Sequence, residues 1–210
     1  MSNLEDYEKY AMYCLIECYD KKLKPMLDCK NERPDWQSNE LKLGIEVTKA
    51  MPEGLGEKIS VVNRYFGKGK TPEEIIEEYE KEDVKNRKII EKCETENDVV
   101  PFVTMFNGDF SKVQQCVIDS IKSKTTKLNS GYKLFGNNWL VVGIDACGEL
   151  FEDHIQNIID GAFKEEEKLN FSKIFIINSN KLFVIEDKKL VNLIEVNEEI
   201  RKKLKDLSKQ

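Results

Sequence analysis

One histidine, His154, is all that the 210 residues contain. A lone imidazole cannot build a His-rich metal cluster, and it makes His-based acid–base chemistry a poor basis for function. Six cysteines are present, Cys14, Cys18, Cys29, Cys93, Cys116 and Cys147, but none forms a CxxC pair. The loose pair Cys14 and Cys18 falls short of the two close ligand pairs of a structural zinc site, so reduced and mostly buried thiols are expected. No apolar run approaches the roughly 18 residues that a membrane span needs. The opening stretch, MSNLEDYEKY, is acidic and polar, unlike a secretory signal, so the expected location is cytoplasmic with no membrane partner.

Positive charge in excess is also missing. Thirty-three Lys and Arg face 39 Asp and Glu, for a net charge of -6. That balance counts against a non-specific coat on nucleic acid, yet leaves room for an enzyme with a local basic groove. Hydrophobic content of 40% supplies a core, and 34% charged residues with a mean hydropathy of -0.53 describe a soluble chain. The length suits one domain carrying an insertion.

Periodicity orders the elements. Leu4, Tyr7, Ala11, Cys14 and Cys18 recur at helical spacing over 3–19, with Pro25 beyond the end. Residues 33–37 and 41–50 read as two strands of a hairpin around the polar turn QSNE. From 51 to 98 the character changes: the chain becomes dense in Glu and Lys, and Thr71 followed by Pro72 marks a helix start, so 51–110 reads as a helical insertion or a small helical lobe. A helix follows over 111–129 with Ser111 as its cap. NNWLVVGID, 137–145, is a continuous apolar run expected of a buried central strand. A helix over 151–168, two strands in KIFIINSNKLFVIED turning at Ser179-Asn180, and a charged C-terminal helix complete the pattern. The order predicts an α/β domain with a central mixed sheet flanked by helices.

Within the strand 43–48, Gly44, Glu46 and Thr48 share one face and Ile45 and Val47 the other. Glu46 is a carboxylate in an apolar strand, with room beside it at a glycine. Asp35 stands behind Pro34 on the partner strand, and a hairpin makes it a cross-strand neighbour of Glu46. Two carboxylates that close repel unless a cation lies between them, and an oxygen-rich pair suits a hard ion such as Mg²⁺.

RPDW followed by GIEVT resembles the PD-(D/E)xK nuclease superfamily, in which a Pro-Asp, a turn and an acid-x-lysine strand build a metal site on a restriction-endonuclease-like core. The resemblance covers roughly 1–50 and 111–187 and leaves the insertion out. It implies a metal-dependent endonuclease hydrolysing phosphodiester bonds in DNA or, second, RNA. Asp35 and Glu46 would hold Mg²⁺ or Mn²⁺, and many such enzymes act as homodimers. Glu32 could sit near the same site, and Glu8 and Glu17 in the first helix are candidates for the extra acid that many members carry there.

One slot departs from the pattern. Two residues after Glu46, where the family has lysine, stands Thr48, and Lys49 points to the opposite face of a regular strand. Helix 111–129 offers another donor: Val113, Val117, Ile121, Lys124 and Leu128 fall on one stripe. If that stripe packs on the face carrying Glu46, Lys124 reaches the carboxylates and takes the role the family gives its motif lysine. Otherwise it snorkels to solvent. Lys122 and Lys127 flank the stripe. From Ser120 to Ile144 there is no Asp or Glu, while Lys122, Lys124, Lys127 and Lys133 accompany Tyr132 and Trp139, a basic patch suited to phosphate. The alternative expectation is a nuclease fold without catalysis, serving in binding or scaffolding. A third is a small-molecule or protein-binding domain with no link to nucleic acid.

Overall fold

A computed structural model describes residues 4–51, 71, 74, 77, 90–94, 99–103, 110–144, 149–164, 170–178 and 180–208. The chain divides into two units, one of residues 1–50 with 114–210 and one of residues 51–113.

The first unit opens with helix α1, Leu4–Cys14, whose ladder loosens into a π-type turn at Leu15–Tyr19 before a 3-10 segment at Lys21–Asp28. Strand β1 is Trp36–Ser38 and β2 is Leu43–Lys49. They pair antiparallel with Trp36 opposite Ile45 and Ser38 opposite Leu43. The turn therefore falls at 39–42, two residues later than QSNE. Lys42 takes the left-handed conformation, φ 48°, and the Leu41 N–H donates to Ser38 Oγ at 3.1 Å. These local bonds, which polarity alone does not reveal, set the turn.

In the second unit, β3, Ile90–Glu94, and β4, Val99–Val103, form an antiparallel pair. The helical reading of 51–110 did not anticipate that hairpin, because charge density along 71–98 masked the β-branched residues that follow. The cap at Thr71 is present: the Glu74 N–H donates to Thr71 Oγ1 at 3.3 Å, and the Thr71 N–H donates to Glu74 Oε2 at 2.8 Å.

Helix α2, Phe110–Ser130, extends one residue past each end of the stretch read as helical, so Ser111 lies inside its first turn. Strand β5, Asn137–Ile144, is buried on both faces and runs parallel between β2 and β6, Lys173–Asn178. Helix α3, Glu152–Ala162, is shorter than the 151–168 expected; Phe163 and Lys164 lie outside it, and 165–169 fall outside the described residues. Strand β7, Lys181–Glu186, folds back on β6. Strand β8, Lys189–Glu195, then adds an edge through a turn in which Asp187 and Lys188 both have positive φ. Helix α4, Glu198–Leu207, is capped by Asn197, whose side chain accepts from the Ile200 N–H. The sheet order is β1-β2-β5-β6-β7-β8, a six-stranded mixed sheet flanked by helices. No helix among the described residues is long and apolar enough to cross a membrane.

Alternation sorts the side chains into two layers. Leu43, Ile45 and Val47 join Trp139, Val141, Phe175 and Ile177 in a core completed by Tyr7, Ala11, Leu15 and Leu204 from α1, the turn after it and α4. The opposite face carries Glu46, Leu140, Val142, Ile174 and Ile176, all buried. Helices α2 and α3 lie together, since a Cβ on Gly161 would meet Ile118 Cδ1 at 2.4 Å. The glycine at 44 leaves no vacancy beside Glu46: a Cβ there would stand 2.8 Å from both Pro34 Cγ and Phe135 Cδ2. The space is filled by those two rings, which bring the chain before β1 onto the Glu46 face.

Candidate active site

Asp35 immediately precedes β1. Extending the β1–β2 register by one step sets it opposite Glu46, the neighbour relation the hairpin predicts. Two hydrogen bonds and an adjacent strand bridge hold it there. The Asn31 N–H donates to the Asp35 carbonyl at 2.7 Å, Lys30 and Trp36 form a bridge beyond the strand, and the Val47 N–H donates to Asp35 Oδ2 at 2.7 Å. The last bond fixes the carboxyl against β2.

Glu46 is 2% exposed. An ionised carboxylate so deeply placed must be paired. Lys124, on the buried stripe of α2 with Val117, Ile121 and Leu128, donates through Nζ to Glu46 Oε1. The Tyr132 hydroxyl donates to the same oxygen at 3.3 Å. Oε2 is buried and has no hydrogen-bond partner among the described residues.

The charges respond to one another. Burial opposes the Lys124 ammonium, but the hydrogen bond and charge of Glu46 outweigh it and hold its pKa above the ordinary value. Burial, and then the charge of Glu46, raise the Tyr132 phenol. Burial also drives the Asp35 carboxyl up from 3.8 to about 7; the charge of Glu46 adds to the rise, the Val47 hydrogen bond opposes it, and Glu8 and Lys124 act more weakly in opposite senses.

The remaining residues considered from the sequence separate clearly. Glu8 is near enough to act on Asp35 and is paired to Lys30 at 3.4 Å. Glu17 faces elsewhere, bonded to Lys203 at 3.0 Å. Glu32 is exposed, with its N–H on Asn31 Oδ1. Thr48 shares the Glu46 face and is half-buried. Lys49 lies on the other face, with Nζ 4.3 Å from the centre of the Tyr7 ring. Lys122 is half-buried and Lys127 exposed on α2, and Lys133 is exposed and donates to Asn39 Oδ1 at 3.0 Å. The contact of Tyr132 with Glu46 was not legible in sequence. Tyr132 stood out only as an aromatic in a basic stretch, because a loop residue has no period that assigns it a face.

Among the described residues, no three His, Cys, Asp or Glu side chains cluster as a metal site in themselves. The donor set is two carboxylates, one with an unpartnered buried oxygen. That is the composition Mg²⁺ accepts, since it retains waters and takes one or two carboxylates together with substrate phosphate. Asp35 and Glu46 could hold such an ion.

No protein-family model, curated protein or solved structure matches the chain.

Removing one partner of a buried ion pair costs about 3–5 kcal/mol, whereas replacing both by apolar groups is often neutral. Lys124→Met should therefore lower unfolding stability by about 3 kcal/mol. The double variant Lys124→Met/Glu46→Leu should recover most of that loss in urea unfolding with chelator present. A double variant no more stable than the single one would contradict the pairing.

A carboxyl raised in the folded state keeps a proton that the unfolded chain has already released. Ionising it costs the folded protein stability that grows with pH between its unfolded and folded values. In chelator, wild type should lose stability relative to Asp35→Asn as pH rises from about 4 to about 7, with a flat difference on either side. A difference independent of pH would mean that burial beside Glu46 does not raise the Asp35 carboxyl.

Proposed function

We propose that this chain is a metal-dependent phosphodiesterase of the PD-(D/E)xK nuclease type, built on a restriction-endonuclease-like core and acting on DNA in preference to RNA. The observation that carries the reading is the convergence of Asp35, Glu46 and Lys124. Two carboxylates from adjoining strands and one ammonium from the following helix meet at the edge of the sheet, although Thr48 occupies the usual lysine slot.

Asp35 and Glu46 would hold Mg²⁺ or Mn²⁺, which when bound lowers the pKa of water and offsets charge on a phosphoryl oxygen. The protein's own part follows from its geometry. The Val47 N–H orients Asp35, and Lys124 pairs with the buried Glu46. Its ammonium stands where the negative charge of a phosphodiester would gather, which is the electrostatic role of a lysine in phosphoryl chemistry. Lys127 and Lys133, both exposed, lie on the same helix and the loop after it and supply positive surface for the flanking phosphates. No covalent attachment to the protein is required.

A second reading, a nuclease fold that binds without cleaving, is favoured by Thr48, since the lysine then arrives on a different element. Incubating the purified protein with single- and double-stranded DNA and with RNA, in Mg²⁺ or Mn²⁺, separates the two. Hydrolysis is expected on DNA, with Asp35→Ala and Glu46→Ala each slower by roughly 100-fold or more and still folded. Cleavage of none of these substrates by wild type would favour the binding module. Absence of salt-dependent DNA binding as well would remove the link to nucleic acid.

A further inference from the structure

The Glu46 carboxylate is used unevenly. Oε1 receives both the Lys124 ammonium and the Tyr132 hydroxyl, while among the described residues the buried Oε2 receives nothing. Lys124 by itself does not impose that asymmetry, because an ammonium on a four-carbon stem can shift between the two oxygens. Tyr132 is different. It lies in the loop 131–136, which its neighbours tie down independently of Glu46. Lys133 Nζ reaches Asn39 Oδ1 at 3.0 Å on the β1–β2 turn. The Phe135 N–H donates to Asn138 Oδ1 at 3.1 Å, and Asn138 Nδ2 donates to the Phe135 carbonyl at 3.1 Å. The Phe135 ring fills the place of a Gly44 side chain. The phenol is thus presented by an anchored backbone.

We infer that Tyr132 is a positioning residue for ion selection: its hydroxyl pins Oε1, so that Glu46 offers a cation one oxygen, Oε2, instead of two. The inference rests on the proposal that Asp35 and Glu46 hold a divalent ion. Its consequence is chemical. Ca²⁺ is large, takes six to eight oxygens and accepts carboxylates through either one oxygen or two. Mg²⁺ is small and keeps most of its water. A carboxylate restricted to one oxygen favours the smaller ion. A carboxylate free to turn both oxygens inward relaxes that preference.

The test is Tyr132→Phe in the full chain, with Mg²⁺ and Ca²⁺ titrated separately by calorimetry without nucleic acid. The substitution removes one oxygen and keeps the ring, and thermal unfolding of the same sample checks the fold. Loss of an outer partner typically weakens metal binding by about 10–100-fold. The expected result is a Mg²⁺ affinity lower by about tenfold and a preference for Mg²⁺ over Ca²⁺ reduced by about threefold or more. An unchanged preference, including equal weakening of both ions, would overturn the role of Tyr132 and leave the metal proposal standing. If wild type binds neither ion and Asp35→Ala gives the same trace, the metal proposal falls and this inference with it.

Discussion

A carboxylate buried to 2% exposure stays charged only beside a cation, and the pairing of Glu46 with Lys124 is the constraint on which this edge of the sheet depends. The pair ties β2 to α2 across the sheet face. It places a charged contact among buried apolar residues, and it fixes which side of the helix faces the strands. Leu140, Val142, Ile174 and Ile176 continue that face as ordinary core. At this edge Asp35 and Tyr132 are half-buried rather than sealed in.

The scaffold around the pair consists of short-range devices. Asp35 is held by a closed loop, from the Asn31 N–H to its own carbonyl and from its carboxylate to the Val47 N–H. Pro34 and Phe135 stack over Gly44, so any side chain larger than hydrogen there would push the two segments apart. The opposite face is a conventional aromatic and aliphatic core under α1 and α4, including Tyr19, Trp139 and Phe175 in mutual ring contact. Both faces are packed, and the Glu46 face also holds Asp35, Lys124 and Tyr132, whose pKa values burial and then the charge of Glu46 displace.

What the residues disclosed in advance follows from periodicity. The spacing of Val117, Ile121, Lys124 and Leu128 placed a lysine on a buried stripe, and the alternation of Gly44, Glu46 and Thr48 put Glu46 and Thr48 on one face with Lys49 on the other. The apolar run of β5 announced a central strand. Features governed by local bonds were hidden. The β1–β2 turn moved two residues because Lys42 accepts a left-handed conformation and Ser38 caps the turn. Strand β8 escaped notice because an irregularity against β7 breaks its alternation and most of its residues face solvent. Tyr132 belongs to a loop, where only the folded chain shows that its hydroxyl shares an oxygen with Lys124.

Asp35 and Glu46 face each other across the β1–β2 register, and the proposal that they hold a divalent ion is what the rest of the functional reading stands on. A crystal of the protein grown with Mn²⁺ and measured for anomalous scattering tests this most directly. The account predicts a peak between the Asp35 carboxylate and Glu46 Oε2, with the Lys124 contact to Oε1 retained. A well-ordered map in saturating Mn²⁺ with no peak at those oxygens, or with Asp35 and Glu46 turned away from each other, would contradict it.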